Sequence, residues 1–68
     1  MSYPSRFVTV RRASELLGYS MKAIEAKRER GIWLKDIHWI KAPDERILID
    51  LEAVDQWARG VKALEIRA

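Results

Sequence analysis

The stretch TVRRASELLGYSMKAIEAKRERG, residues 9 to 31, constrains the fold more than any other part of the chain. Thr9 can cap a helix whose apolar positions Val10, Ala13, Leu16 and Leu17 recur at helical spacing, and Gly18 suits the left-handed residue just past its end. A first helix is therefore predicted over Val10–Leu17. Gly18-Tyr19 leaves room only for a tight turn before Ser20, whose hydroxyl can cap a second run, MKAIEAKRER, that contains neither glycine nor proline. The second helix is expected over Met21–Arg30, stopped by Gly31. Two short helices across so brief a glycine-containing turn have the spacing of a helix-turn-helix, whose second helix is delivered to the major groove of DNA.

Size limits what else the chain can hold. A single domain of 68 residues buries too little surface for a deep catalytic cavity unless disulfides, metals or a partner help. There are no cysteines, which removes disulfides and thiolate metal sites and suits a reducing cytoplasm. No apolar stretch approaches the roughly 20 residues of a membrane helix, and the opening MSYPSRF has no apolar signal region. A cytoplasmic protein with no membrane association is expected, with no metal and no cofactor.

The net charge of +3 conceals an uneven distribution. Met1 to Lys35 carries eight Lys or Arg against three Glu, a balance of +5, while Asp36 to Ala68 carries five against seven, a balance of −2. A basic half that also holds the helical signal is the footprint of a phosphate-binding surface, or else a solvated charged face. At 100° per residue, Met21 and Ile24 mark the side of the second helix that packs on the first, with the Arg28 stem close to it. Lys22, Ala23, Ala26 and Arg30 fall on the opposite side, with Glu29 beside Lys22. Small residues flanked by cations allow close approach to base edges, so this face is the expected DNA reader. The alternative is an exposed helix with alanine chosen for propensity and cations for solubility. Arg11 and Arg12 lie in the first turn of the first helix, where the helix dipole disfavours cations by a few tenths of a kcal/mol each. They read either as a seat for a backbone phosphate, together with Ser20 at the start of the next helix, or as a small tolerated penalty at a solvated site.

Beyond the helices, Ile37–Ile40 and Ile47–Ile49 are short β-prone runs around KAPDER, where Pro and Asp supply turn chemistry, and the pair reads as a β-hairpin. After a helix-turn-helix such a hairpin is a wing. Lys41 and Arg46, at its base and tip, are expected along phosphates or in the adjacent minor groove. Trp33 and Trp39 are expected to brace the hairpin against the helices, because so small a domain needs large apolar side chains to close. His38, with no cysteine, second histidine or adjacent serine nucleophile, is expected as a surface or wing-edge residue rather than a catalyst or metal ligand. Asp50 can cap a third helix in which Leu51, Val54, Trp57 and Ala58 share a face and which Gly60 ends. VKALEIRA, residues 61 to 68, is too short for a stable helix alone and is either frayed or completed by a partner. The expected fold is α+β, a small winged helix-turn-helix domain over residues 1–60 made of two helices, a β-hairpin wing and a closing helix, with a tail over 61–68.

The succession FVTVRRASELLGYS, KAIEAKRERGIWL and HWIKAPDERILIDLEAVDQW resembles the excisionase family of phages and integrative elements, small winged-helix proteins allied to the DNA-binding domains of MerR-type regulators. The resemblance covers about residues 7 to 58, and LGYS, GIW and the segment from KAPDER through ILIDLEAVDQW carry most of it. By position it implies Lys22, Ala23, Ala26, Lys27 and Arg30 for the major groove, and Lys41 and Arg46 for the minor groove or backbone. It also implies a recombination directionality factor, which does no chemistry. Several copies of such a factor bind side by side on attachment-site duplex DNA, bend it and help a phage integrase of the tyrosine recombinase class to excise the element. The sequence departs from many winged relatives at Lys27 and Arg28, where large apolar residues are common, so the helix-to-core contact there falls to aliphatic stems.

Other functions remain open on the residues alone. A phage transcriptional regulator would use the same fold, but no dimerising coiled coil of MerR length fits after Gly60. A small enzyme would need a nucleophile, base or metal cluster that the sequence does not supply. A protein-interaction module would bind without the steep salt dependence that phosphate neutralisation imposes.

Overall fold

A computed structural model describes residues 6–60, so the expectations for the tail lie outside the described residues. The chain runs β1 (Phe7–Thr9), α1 (Val10–Leu17), α2 (Met21–Glu29), β2 (Trp39–Lys41), β3 (Ile47–Asp50) and α3 (Leu51–Ala58). The three strands form one antiparallel sheet in the order β1-β3-β2, with Val8 and Trp39 facing Ile49 from either side. The architecture is a small α+β fold of winged-helix type, as expected, in which the β2–β3 hairpin is the wing.

Each helix starts where a side chain can take up an orphan amide. Thr9 accepts from the Arg12 N–H at 3.1 Å, Ser20 from Ala23 at 3.0 Å and Asp50 from Ala53 at 3.1 Å. The first turn is closed by Gly18 at φ 82° and by the Ser14 hydroxyl, which donates to the Tyr19 carbonyl at 2.6 Å. Helix α2 ends in a Schellman motif: Gly31 adopts φ 73°, its N–H bonds the Arg28 carbonyl, and the Ile32 N–H reaches the Lys27 carbonyl. The motif makes Arg30 the cap residue, so α2 stops at Glu29, one residue short of the expected end.

The core gathers around Trp33, which is fully buried between the helices and the sheet with Ala13, Ile24, Ile49 and Val54. Its indole meets the rings of Tyr19 and Trp57 edge-on at 6.1 and 5.5 Å, so the turn and the closing helix converge on one side chain. Trp39 donates from its indole to the Trp33 carbonyl at 2.9 Å. Both tryptophans thus brace the hairpin, as their size demanded.

Four details differ from expectation. Strand β1 is too short to show a period of its own and exists because it pairs with β3. Leu16 and Met21 stand 47% and 44% exposed although both were placed on inward stripes, and Leu17 and Tyr19 from the turn pack against the core instead. Ala58, placed on the inward face of α3, is exposed at its last turn. The first wing strand begins at Trp39 rather than Ile37, since the Ile37 and His38 amides both fold back onto the Leu34 carbonyl.

His38 is the clearest correction: it is buried, with 2% exposure, rather than at the surface. Its Nδ1 accepts the Leu34 N–H at 2.9 Å and its backbone carbonyl accepts from the Asp50 N–H. The ring is therefore neutral with its proton on Nε2, an atom that is enclosed without a partner. Burial lowers the His38 pKa, opposed in part by the nearby Asp50 carboxylate.

Asp50 ties the two ends of the fold together. Its carboxylate caps α3 and takes two bonds from the Arg6 guanidinium, at 3.1 and 2.7 Å, while the Leu51 N–H bonds the Arg6 carbonyl. Replacing Asp50 by Ala removes cap and ion-pair partner at a buried position and should cost about 2–4 kcal/mol in urea unfolding, close to the whole stability expected of so small a domain. Asp50→Asn, which keeps a capping oxygen, should cost about 1 kcal/mol.

His38 gives a second expectation, with its sign set by the lowered pKa. The unfolded chain takes up the proton first, near its usual value of about 6.5. The stability contributed by neutral His38 is thus fully present above that value and is lost as pH falls below it. Unfolding free energy should decline between pH 6.5 and 5 by up to about 1.4 kcal/mol per unit, and His38→Asn, whose amide oxygen can accept the same Leu34 N–H, should flatten that slope.

Candidate nucleic-acid interface

Helix α2 packs inward through Ile24 and Arg28 and turns its opposite side to solvent. Ile24 is buried, whereas Lys22, Glu29 and Arg30 are exposed and Ala23 and Ala26 are half-buried. Lys22, Ala26, Arg30 and Ala23 therefore form a contiguous outward face in which the alanines do not reach into the interior. Neither Lys22 nor Arg30 has a carboxylate partner among the described residues, so their charges are available to an external anion.

The other two cations of α2 each lie over an aromatic ring. The Lys27 ammonium lies 4.2 Å from the centroid of the Tyr19 ring, which fixes it on the flank of the face. Arg28 turns the opposite way: its guanidinium stacks on Trp39 at 4.2 Å and pairs with Glu25, and its side chain is only 16% exposed. The sequence placed the Arg28 stem correctly but offered no sign of the stacking, because Trp39 belongs to a different element. The Glu25–Arg28 spacing of three residues was the one available signal.

At the start of α1 the two arginines part company. Arg12 pairs with Glu15 at 2.8 Å, and its backbone N–H is already taken by Thr9. Arg11 is exposed and has no carboxylate partner among the described residues. Ser20 accepts from Ala23 through its hydroxyl oxygen, which leaves the hydroxyl proton free to donate.

The wing is an acid-capped hairpin. The Ala42 N–H bonds the Arg46 carbonyl and the Glu45 N–H bonds the Ala42 carbonyl, each at 2.8 Å, and Glu45 adopts the left-handed conformation at φ 74°. Lys41 lies 3.5 Å from Glu45, and Arg46 lies 3.8 Å from Asp44. Both cations are well exposed, but each has an acid beside it, so the tip is locally neutral. KAPDER contained this information as two acids between two cations.

The available cations consequently concentrate on the helical half. Arg11, Lys22, Lys27, Arg30 and Lys35 are in no ion pair with a carboxylate among the described residues, and in the second half only Arg59 joins them, whereas Arg6, Arg12, Arg28, Lys41 and Arg46 are each paired. Lys35, exposed in the connector between α2 and β2, was not singled out by sequence. Among the described residues no group of three or more His, Cys, Asp or Glu could hold a metal ion, and no helix is long and apolar enough to cross a membrane.

Glu45 occupies a backbone conformation that costs most residues about 1–2 kcal/mol and glycine almost nothing. Its exposed pair with Lys41 offsets little of that. Glu45→Gly should therefore raise stability by about 0.5–1 kcal/mol in thermal or urea unfolding, despite the lost ion pair.

Among known proteins, the family model described as "Putative excisionase (DUF1233)" matches residues 1–62. No curated protein and no solved structure matches the chain.

Proposed function

The chain belongs to the family described as putative excisionase (DUF1233), and from that membership, which points to a recombination-related DNA-binding role, we propose a DNA-bending accessory factor of site-specific recombination. In this reading the protein binds duplex DNA at the attachment site of a phage or integrative element and performs no catalysis. It helps an integrase of the tyrosine recombinase class to assemble the complex that excises the element.

The observation that supports this best is the outward face of α2, where Lys22 and Arg30 stand exposed and unpaired around the small side chains of Ala23 and Ala26. In the major groove, two alanines let the helix approach base edges while the flanking cations reach guanine edges or phosphates. Lys27, held on Tyr19, lies at the side of that face and can meet the bordering backbone. Arg11 and the Ser20 hydroxyl serve neighbouring phosphates, and Arg12 does so only by sharing Glu15. At the wing, Lys41 and Arg46 approach the adjacent minor groove or backbone, and their acidic neighbours weaken that contact relative to the helix. A domain of this size covers few base pairs, so copies side by side on one bent duplex supply the discrimination that one copy lacks.

Binding to attachment-site DNA should fall linearly on a plot of log K against log salt, and circularly permuted probes should show a bend. Lys22→Ala with Arg30→Ala should lower the salt slope by about one to two units while the circular dichroism melt stays nearly unchanged. An unaltered gel shift would remove α2 as the reader, and binding indifferent to salt would identify a protein-interaction module instead.

A further inference from the structure

Arg28 is unlike the cations of the proposed DNA face and points away from it. Its guanidinium is enclosed between two partners, the Trp39 ring at 4.2 Å and the Glu25 carboxylate, and its Nε is buried without a bond. An arginine so held cannot reach a phosphate without abandoning both contacts. Trp39 is in turn fixed, because its indole N–H is bonded to the Trp33 carbonyl at 2.9 Å and its backbone opens the first wing strand opposite Ile49. A continuous chain of contacts therefore runs from α2 through Arg28 to the wing.

We infer that Arg28 is a positioning residue that sets the direction of the wing relative to α2, so that both can engage one duplex at once. The inference rests on the DNA-binding reading above and assigns Arg28 a role the charge pattern alone would not give it. A helix in one groove and a hairpin at the next must match the fixed spacing of the grooves. An arginine stacked on an anchored ring holds that spacing before binding, which removes an ordering cost that would otherwise weaken the complex. Glu25 aligns the planar guanidinium over the ring, and a lysine, which is a point charge without a plane, cannot reproduce the stack.

The test uses the charge-neutral pair Glu25→Gln with Arg28→Met, which keeps an unbranched stem over Trp39 and removes both charges together. Fluorescence titration of duplex attachment DNA over a salt series, at a temperature where the variant is fully folded, should show roughly five- to tenfold weaker binding with an unchanged salt slope. The same pair in a Trp39→Leu background should add almost no further loss, because the stacking partner is already gone. In the free protein the Trp39 indole N–H resonance should shift in the pair variant.

A salt slope reduced by about one unit would make Arg28 a direct phosphate contact and overturn the inference. Unchanged affinity, or losses that simply add to those of Trp39→Leu, would overturn it equally. Failure of the unaltered chain to bind duplex DNA with any salt dependence would instead overturn the reading beneath it, a result distinguishable because it appears before any substitution is made.

Discussion

The fold depends on one buried carboxylate. Asp50 is the last residue of the central strand and the cap of the closing helix, and it is also the anchor for Arg6 ahead of the first strand. A carboxylate with 4% exposure is costly unless its lone pairs are filled, and here a backbone amide and a forked guanidinium fill them. Its own amide bonds the His38 carbonyl, so the same residue also reaches the connector below α2. Strand, helix and connector thus meet where a purely apolar residue would have left the α3 amides and Arg6 without partners. The aromatic core around Trp33 supplies most of the burial, but Asp50 fixes how the sheet and α3 join.

That arrangement has an electrostatic consequence for the surface. Four acids of the second half are drawn into structural work or into pairs at the wing: Asp50 and Glu52 face Arg6, and Asp44 and Glu45 face Arg46 and Lys41. The helical half keeps cations with no such partners. A net charge of +3 would be unremarkable if evenly mixed, yet among the described residues most cations without a carboxylate partner lie along α2 and at the start of α1. The hairpin retains the shape of a wing while carrying little net charge at its tip. Shape and charge are therefore divided between the two proposed contact elements, with α2 holding most of the charge.

Helix-turn-helix boundaries were legible because their causes are local. Thr9, Ser20 and Asp50 each accept from an amide three residues on, and Gly18 and Gly31 supply the left-handed residue that ends a helix. The outward face of α2 was legible too, since Lys22, Ala23, Ala26 and Arg30 follow from a fixed rotation per residue. The burial of His38 was not. A histidine between two hydrophobic residues gives no sign that the amide of Leu34 will need an acceptor, and that need arises only once the connector folds back on itself. The exposure of Leu16 was hidden for a related reason, because apolar spacing identifies a stripe without saying which member another element will cover.

The sequence by itself determined the three helices and the hairpin, their caps and turns, and the set of side chains that α2 turns outward. Those rest on interactions between residues a few positions apart, where backbone geometry leaves few choices. Tertiary structure alone decided that a third strand forms, that His38 is inside, and that Arg28 is committed to Trp39. These depend on elements that meet only in the closed fold, as Arg6 and Asp50 do across 44 positions, and no local pattern encodes which distant groups will meet when the chain closes on Trp33.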